Sequence, residues 1–196
     1  FFKQKTAYEI RPRDWSSDVC SSDLLTKLKA ANCDLIVMGT IVRDTIIPYT
    51  AARKSGWTDV TFLGSSATYD AAVGAAPGMD GFYGMGLTDM LYADSDLPAV
   101  RKFYADYKAK FGKDPNVGAI YGYVGADLTV QGLKNAGKDL TLDSFIKGME
   151  AIKDSKDLFG GPPATFGPNI RQGANASIVA EVKNGKWVRL TPALGF

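Results

Sequence analysis

Short apolar runs alternate with amphipathic stretches along this chain, and that alternation restricts its fold more than any other feature. Residues 34–39 read DLIVMG, a continuous apolar run of strand length, the pattern of a parallel strand covered on both faces. Residues 60–63 form a second such run, and 81–87 (GFYGMGL) a third that is rich in glycine. Helical stretches lie between them. One spans 44–55, ends at Gly56 and carries Pro48 near its first turn; a shorter one spans 69–75. Residues 25–31 have the character of a helix end. Alternation of this kind predicts a three-layer α/β arrangement built on a parallel sheet.

The texture changes near residue 90. Residues 88–96 (TDMLYADSD) follow neither period and read as a connector. In 97–111, Leu97, Val100, Phe103, Tyr104, Tyr107 and Phe111 recur at helical spacing. A long apolar helix is expected over 117–135, then a third helix over 142–152, with Thr141 as its N-cap and Leu142, Phe145, Ile146 and Met149 on one face. Residues 159–163 (FGGPP) are loop. Residues 177–183 and 186–190 are expected to pair as a hairpin across Asn184 and Gly185, a strong two-residue turn signal. A chain that leaves one lobe, builds part of another and then returns would have this order.

Residues 1–24, FFKQKTAYEIRPRDWSSDVCSSDL, resemble a translated short-read sequencing adapter. Residues 3–10 and 14–24 back-translate in one frame into its two halves, with Arg11, Pro12 and Arg13 where a sample barcode lies. The segment is therefore expected to be non-native and to form no packed strand, and the natural sequence upstream of residue 25 is expected to be missing, any signal peptide with it. Its four basic and four acidic residues cancel, so the net charge stays +2 without it. Of the two cysteines only Cys33 remains, which reads as a small buried residue at a helix-to-strand junction rather than half of a disulfide. No basic run points to nucleic acid, and no apolar run approaches a membrane span.

The chain has no histidine. That removes the Ser-His-Asp and Cys-His arrangements, the commonest general base and the commonest zinc ligand. Neither G-x-x-x-x-G-K-[ST] nor G-x-G-x-x-G occurs, and Gly64–Ser65–Ser66 lacks the G-x-S-x-G pattern. No cofactor, metal or catalytic residue is expected.

Ligands of open α/β sheets bind beyond the carboxyl ends of the strands. Two such ends are readable here. Thr40, Ile41, Val42 and Arg43 follow the first strand; Ser65 and Ser66 follow the second, just ahead of a helix. The serine hydroxyls and nearby backbone N–H groups can hold an anion or polar group, or the serines can simply cap the helix. Arg43 can meet a carboxylate or remain a solvated charge. Tyr121 and Tyr123, with small residues between them, either pack in a core or line a cleft.

Several segments occur in a telling order: LKAANCDLIVMGT, IPYTAARKSGW, FLGSSATYD, GMDGFYGMG, YKAKFGKDPNVGAIYGYVGADL, LTLDSFIKGMEAIKD and FGGPPATFGPNIRQG with the closing hairpin. Together they resemble the substrate-binding proteins of branched-chain amino acid ABC transporters across essentially all of residues 25–196. The resemblance implies a type I periplasmic binding fold, with two α/β lobes joined by three crossings that close on a ligand. Residues 25–87 would be part of the second lobe, 88–95 a hinge connector, 96–158 part of the first lobe, and 159–196 the return to the second lobe with its hairpin. It also implies a binding role without catalysis, a small amino acid-like or organic acid solute, an ABC permease as membrane partner, and a periplasmic or surface-anchored location. A sensor domain of the same fold and a histidine-free α/β enzyme are the alternatives. By the resemblance, Thr40, Ile41, Val42 and Arg43 occupy pocket positions, Ser65 and Ser66 lie in the second pocket loop, and Gly118 and Tyr121 fall near cleft positions of the returning lobe. Ser66 stands where family members often carry a glutamate for the ligand's amino group.

Overall fold

The computed structural model describes residues 17–195, with side chains from residue 23 onward. Its sheet is parallel at one end and antiparallel at the other. Strands β1 (Leu35–Met38), β2 (Thr61–Gly64) and β3 (Tyr83–Gly86) run parallel. Strand β4 (Ala176–Lys183) joins β3 antiparallel, pairing Gly84 with Ala180, and β5 (Lys186–Arg189) adds to the far side of β4. The order is β1-β2-β3-β4-β5, and β6 (Leu194–Gly195) pairs the start of β4. The hairpin forms as read: Asn184 and Gly185 both take positive φ, 53° and 75°, as a tight two-residue turn demands.

Helices α1 (Ser17–Ala30), α2 (Val42–Lys54) and α3 (Ala71–Ala75) cover one face of this sheet. Leu25 and Leu28 of α1 pack against the buried cluster there. Burial alternates along the strands: Ile178, Ala180 and Val182 of β4 are fully buried, as is Phe62 of β2. Tyr49 from α2 sits edge-on to Phe62 and Phe82, both at 5.2 Å between centroids, and its hydroxyl donates to the Asp80 carbonyl at 2.7 Å.

The opposite face corrects one expectation. The run DLIVMG is not covered on both faces: Leu35 is 51% exposed and Val37 65%. Val188 of β5 is exposed on that side too, and Leu63, Met85 and Val179 are only half-buried. Handedness explains this. Successive right-handed crossovers that step across a sheet in one direction place their helices on the same face. Among the described residues the sheet thus has two layers, and β1 is an edge strand.

Three local expectations also change. Helix α2 begins at Val42, two residues early, so Pro48 lies inside it rather than near the first turn and deprives the Asp44 carbonyl of its helical donor. Ser65 and Ser66 do not cap the following helix. They belong to a turn closed by Thr68, and Asp70 caps α3 by accepting from the Ala72 N–H at 2.8 Å. Cys33 is half-buried rather than buried, directly after Asn32, where the chain turns at positive φ.

Beyond β3 the chain runs through the connector into a second packed unit. Helices α4 (Pro98–Phe111), α5 (Val117–Ala136) and α6 (Leu142–Glu150) form it, with no strand among them. Each start is encoded locally: Pro98 in the first turn of α4, Asn116 capping α5, and Thr141 with Ser144 closing a reciprocal capping box on α6. Leu91, Val100, Ile120 and Phe159 make the buried centre, with Phe103, Tyr104, Tyr121 and Val124 packed around it. The chain then returns to β4, so the two crossings lie side by side. The Asp89 N–H donates to the Phe159 carbonyl at 2.9 Å, and Arg189 of β5 reaches the Gly160 carbonyl at 3.1 Å and Asp89 at 3.3 Å.

Substitutions on the two sheet faces should behave oppositely. Phe62→Ala should cost about 3–5 kcal/mol in urea unfolding followed by the fluorescence of buried Trp57 and Trp187. Val37→Lys should change that stability by less than about 0.5 kcal/mol and raise the soluble fraction of the expressed chain. A loss comparable to that of Phe62→Ala would mean that the second face is covered.

Candidate ligand-binding site

The loops after β1 and β2 lie side by side at the carboxyl end of the parallel strands. The Ser65 N–H donates to the Met38 carbonyl at 2.9 Å, which holds the second loop against the end of the first strand. In the first loop, Thr45 Oγ1 donates to the Ile41 carbonyl at 2.8 Å and lies 2.7 Å from Thr40 Oγ1. A hydroxyl has one proton, and Thr45 has spent its own, so Thr40 donates to Thr45 and keeps only acceptor capacity. Ile41 is the N-cap of α2 and supplies no side-chain acceptor, so the first-turn N–H groups remain unsatisfied by a cap. Ile41 is 64% exposed, Val42 half-buried, and Arg43 exposed in the first turn. Ser65 is half-buried and Ser66 exposed.

Gly118 and Tyr121 lie elsewhere, on the first turns of α5. Gly118 is exposed next to the Asn116 cap. Tyr121 is half-buried; its hydroxyl is fully enclosed and has no hydrogen-bond partner. Burial pushes its pKa above the ordinary 10.0, so it remains a protonated donor at neutral pH. Tyr123 faces outward and packs edge-on against Phe103 at 5.1 Å and Phe159 at 5.7 Å. The structure therefore gathers Thr40, Ile41, Val42, Arg43, Ser65 and Ser66 at one end of the sheet and sets Gly118 and Tyr121 on the helical unit.

Tyr69, which sequence reading passed over, connects the two groups. It is fully buried, packs at a tilt against Trp187 with 4.9 Å between ring centroids, and its hydroxyl accepts from the Met90 N–H and comes within electrostatic reach of Tyr121. Burial and the nearby Asp89 carboxylate raise its pKa. A signal for it did exist. Gly84 and Gly86 point to the same face of β3; a Cβ on Gly86 would come within 2.6 Å of the Tyr69 ring, and one on Gly84 within 2.7 Å of Trp187. Paired glycines two apart in a strand mark large rings directly overhead. A cavity of about 170 Å³ beside the connector, lined by Asp89, Leu91, Asp96 and Phe159 among others, includes none of the expected ligand residues.

The sequence profile of the periplasmic binding protein family matches residues 4–186. This chain belongs to that family. As a periplasmic binding protein it is similar to Leu/Ile/Val-binding protein homolog 8 of Brucella abortus, with 26% identity over 184 residues, covering 90% of this chain and 45% of that one. The chain spans about half the length of the curated relatives it matches. Solved structures share the fold. One is a fatty acid ABC transporter substrate-binding protein from Thermomonospora curvata, at TM-score 0.76 and 24% identity over 95% of this chain and 49% of that one. Another is a branched chain amino acid ABC transporter from Thermus thermophilus with bound valine, at TM-score 0.75 and 18% identity over 90% and 50%. The type I periplasmic binding fold is thus present, in part. The matched span begins within residues 1–24, and α1 runs through the end of that segment; residues 1–16 lie outside the described structure.

Removing the orphaned hydroxyl should be tolerated. Tyr121→Phe is expected to leave unfolding stability unchanged or to raise it by about 1–2 kcal/mol, because a buried donor without an acceptor costs free energy. Urea denaturation monitored by circular dichroism checks this; a loss above about 1 kcal/mol would show that the hydroxyl is satisfied.

Proposed function

We propose that this chain is the C-terminal half of the solute-binding component of an ABC transporter, working in the periplasm or at the outer cell surface. In this reading the sheet unit, residues 25–87 with 159–196, belongs to the second lobe. Residues 96–158 belong to the first lobe, and 88–95 serve as a hinge. A solute enters between the lobes, touches the loops after β1 and β2, and is enclosed when the lobes close; the closed form then engages a membrane permease. No reaction is catalysed: the site residues are hydroxyls, aliphatic groups and a guanidinium, and the chain has no histidine to act as a base.

The observation that carries this reading is the pair of crossings. Two separately packed cores are joined by adjacent segments tied through the Asp89 N–H to the Phe159 carbonyl, with Tyr69 and Tyr121 on either side of the junction. Adjacent crossings between two cores permit rotation of one against the other, as domain closure around a ligand requires. Family membership supports the same reading. In this reading the other half of the protein, for which relatives about twice as long leave room, covers the bare sheet face and the exposed Val130 and Leu133 of α5. Residues 1–24 we take to be adapter-derived, which resequencing of this locus from genomic DNA would check: a different sequence upstream of residue 25 is expected.

The complete gene product should bind an organic solute with micromolar or tighter affinity by calorimetry and become more compact in X-ray scattering when it does. The present chain, with half a cleft and one bare sheet face, should bind no such solute and should self-associate in size-exclusion chromatography. A soluble monomer of this chain with micromolar affinity would overturn the half-cleft reading.

A further inference from the structure

The connector between the two packed units is fastened to the terminal hairpin at three successive points. Asp89 pairs with Arg189 at 3.3 Å, the Tyr92 hydroxyl accepts from the Trp187 N–H at 2.7 Å, and Asp94 pairs with Lys186 at 2.5 Å. Residue numbers rise along the connector as they fall along β5, so residues 89–94 follow that strand antiparallel. The Asp94 pair is exposed and contributes little alone, whereas the other two links are partly buried. Beyond Asp94 the helical unit takes over. The Arg101 guanidinium of α4 donates to the carbonyls of Ser95 at 2.6 Å and Asp96 at 3.1 Å.

Arg189 also reaches the return crossing. Its Nη1 donates to the Gly160 carbonyl at 3.1 Å as well as to Asp89, and its Nε donates to the Thr191 carbonyl at 2.7 Å. One planar fork thus holds both crossings against the hairpin. Gly160 is suited to that close approach. Its φ is +73°, and a Cβ there would come within 2.7 Å of the Asp89 carboxylate.

The crossings meet the helical unit differently. Leu91 and Phe159 enter its buried centre beside Val100 and Ile120. Such apolar contacts are non-directional, whereas the bonds to the hairpin hold a fixed geometry. The cavity of about 170 Å³ lies on this same side, with Leu91, Leu97, Val100 and Phe159 in its lining. Close-packed side chains resist relative movement, and here the packing is open.

We infer that Arg189 is the positioning residue of the hinge: it clamps both crossings to the sheet unit, so that residues 89–94 travel with that unit and bending is confined to Asp94–Leu97. This rests on the lobe-closure reading above. Two crossings pinned at one point restrict the lobes to a narrow set of rotations, which returns the halves of a cleft to the same register at each closure.

Amide hydrogen exchange on the complete, solute-free gene product tests the clamp. In the natural protein the Asp89 and Trp187 amides should exchange at least about tenfold more slowly than that of Asp96. Arg189→Met keeps the apolar stem and removes the fork; it should raise exchange across residues 88–91 and 158–161 about tenfold and leave β2 unchanged. Arg189→Lys should not restore protection, because one ammonium cannot hold the Thr191 carbonyl and both crossings together. Spin labels at Asp59→Cys and Lys138→Cys, in a background without other cysteines, should report a broader distance distribution in Arg189→Met. Exchange raised throughout the sheet, rescue by lysine, or an Asp89 amide as fast as that of Asp96 would overturn the clamp and leave lobe closure standing. A single narrow label distance in the natural protein and in both Arg189 variants would show the units locked together, and the lobe-closure reading would fall.

Discussion

The aromatic packing on the covered face of the sheet is the contact on which the rest of this structure depends. Tyr49, Phe62, Phe82, Tyr69 and Trp187 come from α2, β2, the position just before β3, the loop after β2 and the terminal hairpin. No two neighbouring elements could bury these rings by themselves. Their joint burial fixes the crossover helices on one side and brings the C-terminal strands back beside β3. It also aligns the ends of β1 and β2, where the two candidate loops begin. The Trp187 Nε1–H donates to the Asp70 carbonyl at 2.7 Å, and the Tyr92 hydroxyl accepts from the Trp187 N–H at 2.7 Å. The hairpin is thereby fastened both to the end of the loop after β2, where α3 begins, and to the connector. The candidate loops and the connector thus share one buried support.

Coverage of only one sheet face has an energetic consequence. Apolar side chains such as Leu35 and Val37 gain little from folding while exposed, and a parallel edge strand leaves a row of backbone donors and acceptors unpaired. The helical unit repeats the pattern, with Phe111, Val130, Leu133 and Leu142 facing outward. Under the proposed half-protein reading, both surfaces are where the rest of a longer chain packs; the chain spans about half the length of its curated relatives.

Local signals were strong wherever the physics is local. The tight turn at Asn184 and Gly185, the caps Asn116 and Thr141, and the periodicity of α4 and α6 need only neighbours in sequence. The return of the chain was legible in the order of its elements and in the family resemblance, whereas the pairing of the hairpin with β3 was not read from the sequence. Errors arose where a distant segment decides the outcome. The start of α2 depends on where β1 ends against β2, so Pro48 falls deeper than its local pattern implied. Ser65 and Ser66 looked like caps until the Thr68 turn separated them from α3.

The sequence by itself determined the α/β class, the family, the absence of histidine chemistry and the hydroxyl-rich character of the two loops. Those properties depend on residue identity and short spacing. Only the tertiary structure decided that the loops lie together while Tyr121 stands on a second core, that its hydroxyl is enclosed without an acceptor, and that Tyr69 lies between them. It also decided which sheet face is bare. Burial and proximity between residues far apart in the chain are set by how helices and strands pack, and no local pattern encodes which side a crossover takes or what covers it.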